Sequence, residues 1–128
     1  MRKSIGIVLA CIVAAGIIGT APAALAKDGD VIKTGQCTGA SDWKLKLSNE
    51  DGKMEVEFEV DQNVNGDEWR IVLKREGEAF WRGTRVTKAP SGSFEVEKLT
   101  QNGPGEETFF ARARNLETDE ICKGTATK

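Results

Sequence analysis

In WKLKLSNEDGKMEVEFEV, residues 43–60, apolar side chains recur at every second position on both sides of Asp51-Gly52. Trp43, Leu45 and Leu47 precede that pair, and Met54, Val56, Phe58 and Val60 follow it. A period of two is that of a half-buried strand, and Asp-Gly is a tight-turn pair, so the segment predicts a β-hairpin. With the turn at Asp51-Gly52, Leu47 lies opposite Val56, Lys46 opposite Glu57, Leu45 opposite Phe58 and Lys44 opposite Glu59. One register therefore sets apolar against apolar on one face and cation against anion on the other. The stripe Glu55, Glu57, Glu59 then reads as a solvated sheet face rather than a catalytic or metal-binding cluster.

A second hairpin is predicted in WRIVLKREGEAFWRGTRV, turning at Glu76-Gly77, with Trp69, Ile71, Leu73 and Phe80 facing inward. Beyond the turn APSG, SFEVEKL forms a further strand with Phe94 and Val96 inward. TQNGPGEE is a loop, TFFARARN a strand and EICKGTAT the last strand. No stretch carries a helical stripe. Roughly seven to eight short strands at this spacing predict an all-β fold, a single antiparallel β-sandwich or barrel.

The order of landmarks narrows this to the sandwich. MEVEFEV, then a strand opening at Trp69, then GEETFFARARN before a final hairpin strand resemble the immunoglobulin-like sandwich across about residues 43–127, where a Trp is the core residue of the third strand. The chain departs from that pattern in two places. Phe58 or Val60 and Ala111 stand where the family has its inter-sheet cysteines, and Phe109 or Phe110 stands at the corner tyrosine. The chain also resembles small secreted actinobacterial proteins with an Asp30-Val31-Ile32-Lys33-Thr34-Gly35 start, a Cys37-x-Gly39, a WKLKL strand and a VDQN loop. That group has no assigned function, so the resemblance implies export and fold alone. Secreted chromophore-carrying apoproteins share size and sandwich but have two local disulfides missing here; a small-ligand carrier is a minor alternative.

Residues 1–26 read as a secretory signal peptide: Arg2 and Lys3, an apolar run from Ile5 to Ile18, and small residues before a cut at Lys27. The expected product is a secreted bacterial protein with no stable membrane insertion after cleavage. Removing 26 of 128 residues leaves 102, residues 27–128, one domain. Its 16 cations are outnumbered by 20 anions once Arg2 and Lys3 are gone, which predicts no bulk nucleic-acid binding. In an oxidising compartment Cys37 and Cys122 form one disulfide. Closing a loop of about 84 residues stabilises the fold by about 4 kcal/mol in the chain-entropy model.

The chain has no His and no Tyr, and with Cys11 in the expected signal peptide the disulfide takes both thiols of residues 27–128, so hydrolytic triads are excluded and no enzyme is expected. Paired carboxylates for glycoside hydrolysis are the remaining enzymatic alternative. DQNVNGDEW, residues 61–69, alternates oxygens as a calcium loop does, yet an EF-hand needs a bidentate Glu at its twelfth position, and here that is Val72. The loop is read as a connection. A weak calcium site of another geometry at Asp61, Asn63, Asn65 and Asp67 stays open; no metal or cofactor is assigned.

The sequence's second hint is FWRGTRV. Adjacent Phe80 and Trp81 cannot share a face of a regular strand. With Phe80 opposite Leu73, Trp81 faces outward among Arg70, Val72, Lys74 and Arg85, and Arg112 and Arg114 extend the patch if their strand is a neighbour. Trp81, Arg70, Lys74 and Arg85 are thus the candidate binding residues, for an extracytoplasmic protein or an anionic envelope polymer. The competing reading has arginine stems covering the indole, with no ligand. The function expected is a secreted, non-enzymatic binding module. The alternative is an inhibitor of an extracellular enzyme that inserts the TQNGPGEE loop into a cleft.

Overall fold

The computed structural model describes residues 27–128; the expected signal peptide lies outside the described residues. Eight strands follow one another: β1 Val31–Gln36, β2 Asp42–Glu50, β3 Lys53–Asp61, β4 Glu68–Arg75, β5 Glu78–Val86, β6 Ser93–Gln101, β7 Thr108–Asn115 and β8 Ile121–Thr127. They form two antiparallel four-stranded sheets, ordered β1-β2-β3-β6 and β5-β4-β7-β8. The protein is an all-β sandwich, and its connectivity is consistent with the immunoglobulin-like class. No helix among the described residues is long and apolar enough to cross a membrane.

The first hairpin has the register that both of its faces demanded, with Leu47 paired to Val56, Lys46 to Glu57, Leu45 to Phe58 and Lys44 to Glu59. Its turn residues Asp51 and Gly52 both have positive φ, 52° and 82°, which suits the twist of a two-residue hairpin. Glu76 and Gly77 turn the second hairpin in the same way, at 49° and 85°. β1 is an addition that the alternation does not predict. Its inward positions, Val31, Lys33 and Gly35, pair with Leu47, Leu45 and Trp43, but a Lys and a Gly at apolar positions hide the period.

Between the sheets, Leu45, Leu47, Val56 and Phe58 meet Trp69, Ile71, Leu73 and Phe109, all essentially inaccessible to solvent. Trp69 tilts against Phe94 across the sandwich, ring centroids 5.8 Å apart, a favoured arrangement for aromatic pairs. Trp43 closes one side of the molecule. A Cβ added at Gly35 or Gly124 would come within 2.7 or 2.2 Å of its ring, so the indole is held between two glycines of β1 and β8. Beside it the Cys37–Cys122 disulfide joins the segment after β1 to β8.

Candidate functional site

The loop 62–67 connects β3 to β4, and two of its polar residues, Gln62 and Asp67, hold the indole of Trp69. Trp69 Nε1 donates to Gln62 Oε1 (3.1 Å), Gln62 Nε2 to Asp67 Oδ2 (2.6 Å) and Asn115 Nδ2 to the same oxygen (2.9 Å). Asn115 is fully buried, and its Oδ1 accepts from the backbone N–H groups of Glu117 and Thr118. The hydrogen bonds from Asn115 and Gln62 hold the Asp67 carboxyl below its ordinary range. Asn63 and Gly66 take positive φ, and the N–H groups of Gln62 and Asn63 both donate to the Gly92 carbonyl. Of the four alternating residues, Asp67 is tied by its side chain into the Trp69 network, and Asn63 is held by its backbone N–H.

The second hairpin corrects the expected patch. Pairing starts from the turn as anticipated, Arg75 with Glu78 and Lys74 with Ala79, but a bulge between Leu73 and Lys74 leaves Phe80 unpaired and sets Trp81 opposite Leu73. One inserted residue exchanges the faces of everything beyond it. Trp81 and Arg85 therefore take the inward parity at the sheet's edge, while Arg70 and Lys74 face outward; the four expected residues do not form one surface. Phe80 and Trp81 are both half-buried and pack against the core. Trp81 lies over Gly83, where a Cβ would meet its ring at 2.5 Å. Arg85 and Lys98 sit over the indole at 5.1 and 5.0 Å from its centroid, the covered cation-π arrangement. Trp81→Ala is accordingly expected to lower stability by about 2 kcal/mol in thermal or urea unfolding while leaving the outward basic face intact.

That face belongs to β5-β4-β7-β8 and is larger than anticipated. β7 pairs with β4, placing Arg114 opposite Arg70, Arg112 opposite Val72 and Phe110 opposite Lys74. The bulge turns Arg82 outward, opposite Val72, and β8 adds Lys123 opposite Arg112. Alternation with the buried Trp69, Ile71, Leu73, Ala111, Ala113 and Cys122 fixes the outward parity of all six cations. Glu68, at the end of β4, is the one acid of the same parity in these strands. Lys74 lies 5.6 Å from the Phe110 ring centroid, and Arg114 pairs with Asp119 at 2.7 Å. Arg70, Val72, Arg82, Arg112 and Arg114 line a shallow depression of about 230 Å³.

The opposite surface has the opposite sign. On β3 and β6, Glu57 pairs with Glu97 and Glu59 with Glu95 across the ladder, and Lys44 meets Glu59 at 3.4 Å. Carboxyl oxygens of Glu55, Glu57 and Glu97 lie within 4.8 Å of one another. A hydrogen bond with Glu57, partial burial and neighbouring negative charge push Glu95 up to about 7; burial and a hydrogen bond with Glu97 raise Glu55. These carboxyls lie side by side on one face of β3 and β6.

Between about 4.5 and 7 the folded protein holds a proton on Glu95 that the unfolded chain releases, so stability falls as pH rises through 7. Because that face is largely solvated, the loss is at most about 1 kcal/mol. Asp67, with its lowered value, acts oppositely, its contribution being lost as pH falls below about 4. The melting temperature should therefore be highest near pH ~5 and decline toward pH ~8, and Glu95→Gln should flatten the alkaline arm.

The TQNGPGEE loop is tied down at its base. Glu107 is buried and ion-paired with Arg75. It accepts a hydrogen bond from the Gly103 N–H (3.0 Å), and its backbone exchanges two hydrogen bonds with Lys128. Among known proteins, no family profile, curated sequence or solved structure matches this chain.

Proposed function

We propose that the protein is a secreted, non-enzymatic binding module that attaches to an anionic partner, an envelope polymer or an acidic protein, through the outer face of β5-β4-β7-β8. The observation that carries this reading is the charge of that face: Arg70, Lys74, Arg82, Arg112, Arg114 and Lys123 against Glu68 among its outward strand residues. A chain with a formal net charge of −2 has sorted its charges by sheet, which costs stability through self-repulsion and favours a partner of one sign. Arginine dominates the patch, and arginine is enriched where binding energy concentrates. No nucleic acid is proposed as the partner; the setting is extracytoplasmic, to which the Cys37–Cys122 bridge is suited.

The reading is tested by incubating the protein with envelope fragments and culture fluid from the producing cell and identifying what is retained. Retention of an anionic species at about 50 mM salt, released near 1 M, is the expected result. Retention that is indifferent to salt, or of cationic species, would count against it.

A further inference from the structure

We infer that the depression bounded by Arg70, Arg82, Arg112 and Arg114 is a site for a tetrahedral oxyanion, a phosphate- or sulfate-ester group carried by the anionic partner. This inference rests on the basic sheet being the binding surface and names the chemistry that surface selects.

The site is built by the ladder. Arg82 and Arg112 are the Cα partners of Val72 on its two sides, and Arg114 is the partner of Arg70, the next outward residue of the same strand. With strands about 4.8 Å apart, the four side chains issue from a patch about 10 Å across. Val72 is the apolar floor, and the depression holds about 230 Å³, several times the ~30 Å³ share of one water.

Arg70, Arg82 and Arg112 make no ion pair or side-chain hydrogen bond among the described residues, while Asp119 engages Arg114. Like charges placed directly opposite one another in a ladder are destabilising. Arg70 stands so to Arg114 and Arg112 to Lys123, and an anion entering the depression relieves both repulsions.

The donor geometry decides which anion. Each guanidinium presents a planar fork, and one carboxylate, with two coplanar oxygens, satisfies one fork. A phosphate or sulfate ester carries three terminal oxygens pointing in different directions, so forks arriving from three strands can be satisfied at once. Lysines at these positions would supply the charge without the forks.

The experiment is isothermal titration of the protein in about 100 mM NaCl with dextran phosphate carrying monoesters, dextran sulfate and polyglutamate of matched charge, with inorganic phosphate as competitor. Wild type is expected to bind the first two at least ~10-fold more tightly than polyglutamate. The Arg82→Lys/Arg112→Lys variant keeps the charge, and both sites point to solvent, so its melting temperature checks that it is folded. It should lose the preference while holding polyglutamate affinity within about twofold.

Competition by millimolar inorganic phosphate would assign recognition to the group itself. Preference without competition would assign it to the polymer-borne ester; both support the site. Equal affinity for all three polymers, or a lysine variant that keeps the preference, overturns this inference and leaves the anionic-partner reading standing. Failure of wild type to bind any of the three overturns that reading as well.

Discussion

Reversing two charges in the centre of the basic sheet is expected to abolish partner binding and leave the fold at least as stable. In Arg70→Glu/Arg112→Glu, the new carboxylates stand opposite Arg114 and Lys123 in the ladder. Two cross-strand repulsions become attractions, each of about 0.2–1 kcal/mol. The melting temperature should therefore stay level or rise by a few degrees. Retention on the anionic partner should fall at least ~100-fold at about 50 mM salt, because the variant removes two cations and places two anions beneath the ligand. Glu57→Gln, on the acidic sheet, changes retention little. A variant that weakens binding only by unfolding would show it in its melting curve.

The second large effect concerns Cys37 and Cys122, separated by 85 residues. Cross-linking across that span removes about 4 kcal/mol of chain entropy from the unfolded state in the loop-closure model. The native junction is also held without sulfur. The Thr38 N–H donates to the Ile121 carbonyl (2.8 Å) and the Ile121 N–H to Thr38 Oγ1 (2.9 Å). Glu120 accepts from the N–H groups of Gly39 and Ser41 and from the Ser41 hydroxyl. Reduction should thus leave the folded arrangement in place while destabilising it, lowering the melting temperature by about 15 °C or more. Protein isolated with two free thiols, or a reduced form melting within ~2 °C of the oxidised one, would contradict this.

The first hairpin was legible in the sequence because two independent patterns, apolar on one face and alternating charge on the other, select the same register. Turn chemistry at Asp51-Gly52 agrees with both. The second hairpin was legible only as far as its bulge. An inserted residue leaves no mark in a period of two except the adjacency of Phe80 and Trp81, which neither face of a regular strand accommodates. Taking that adjacency as a bulge instead of as an exposed aromatic would have turned Arg82 outward and Trp81 inward.

Lys123 was beyond reach for another reason. Its place beside Arg112 depends on which strands are neighbours, and local alternation does not encode sheet order. β1 was hidden because an edge strand buries little, so Lys33 and Gly35 are tolerated at its inward positions. The export signal, read in residues 1–26, lies outside the described residues.

Amide chemical-shift mapping during titration with dextran phosphate tests most directly whether the basic sheet is the surface that meets the partner. The expected shifts fall on outward positions of four adjacent strands, Arg70 and Val72 of β4, Arg82 of β5, Arg112 and Arg114 of β7 and Lys123 of β8, and fade as salt is raised toward ~1 M. Shifts centred on the Trp81–Lys98 edge or on the glutamates of β3 and β6, or an unchanged spectrum, would contradict it.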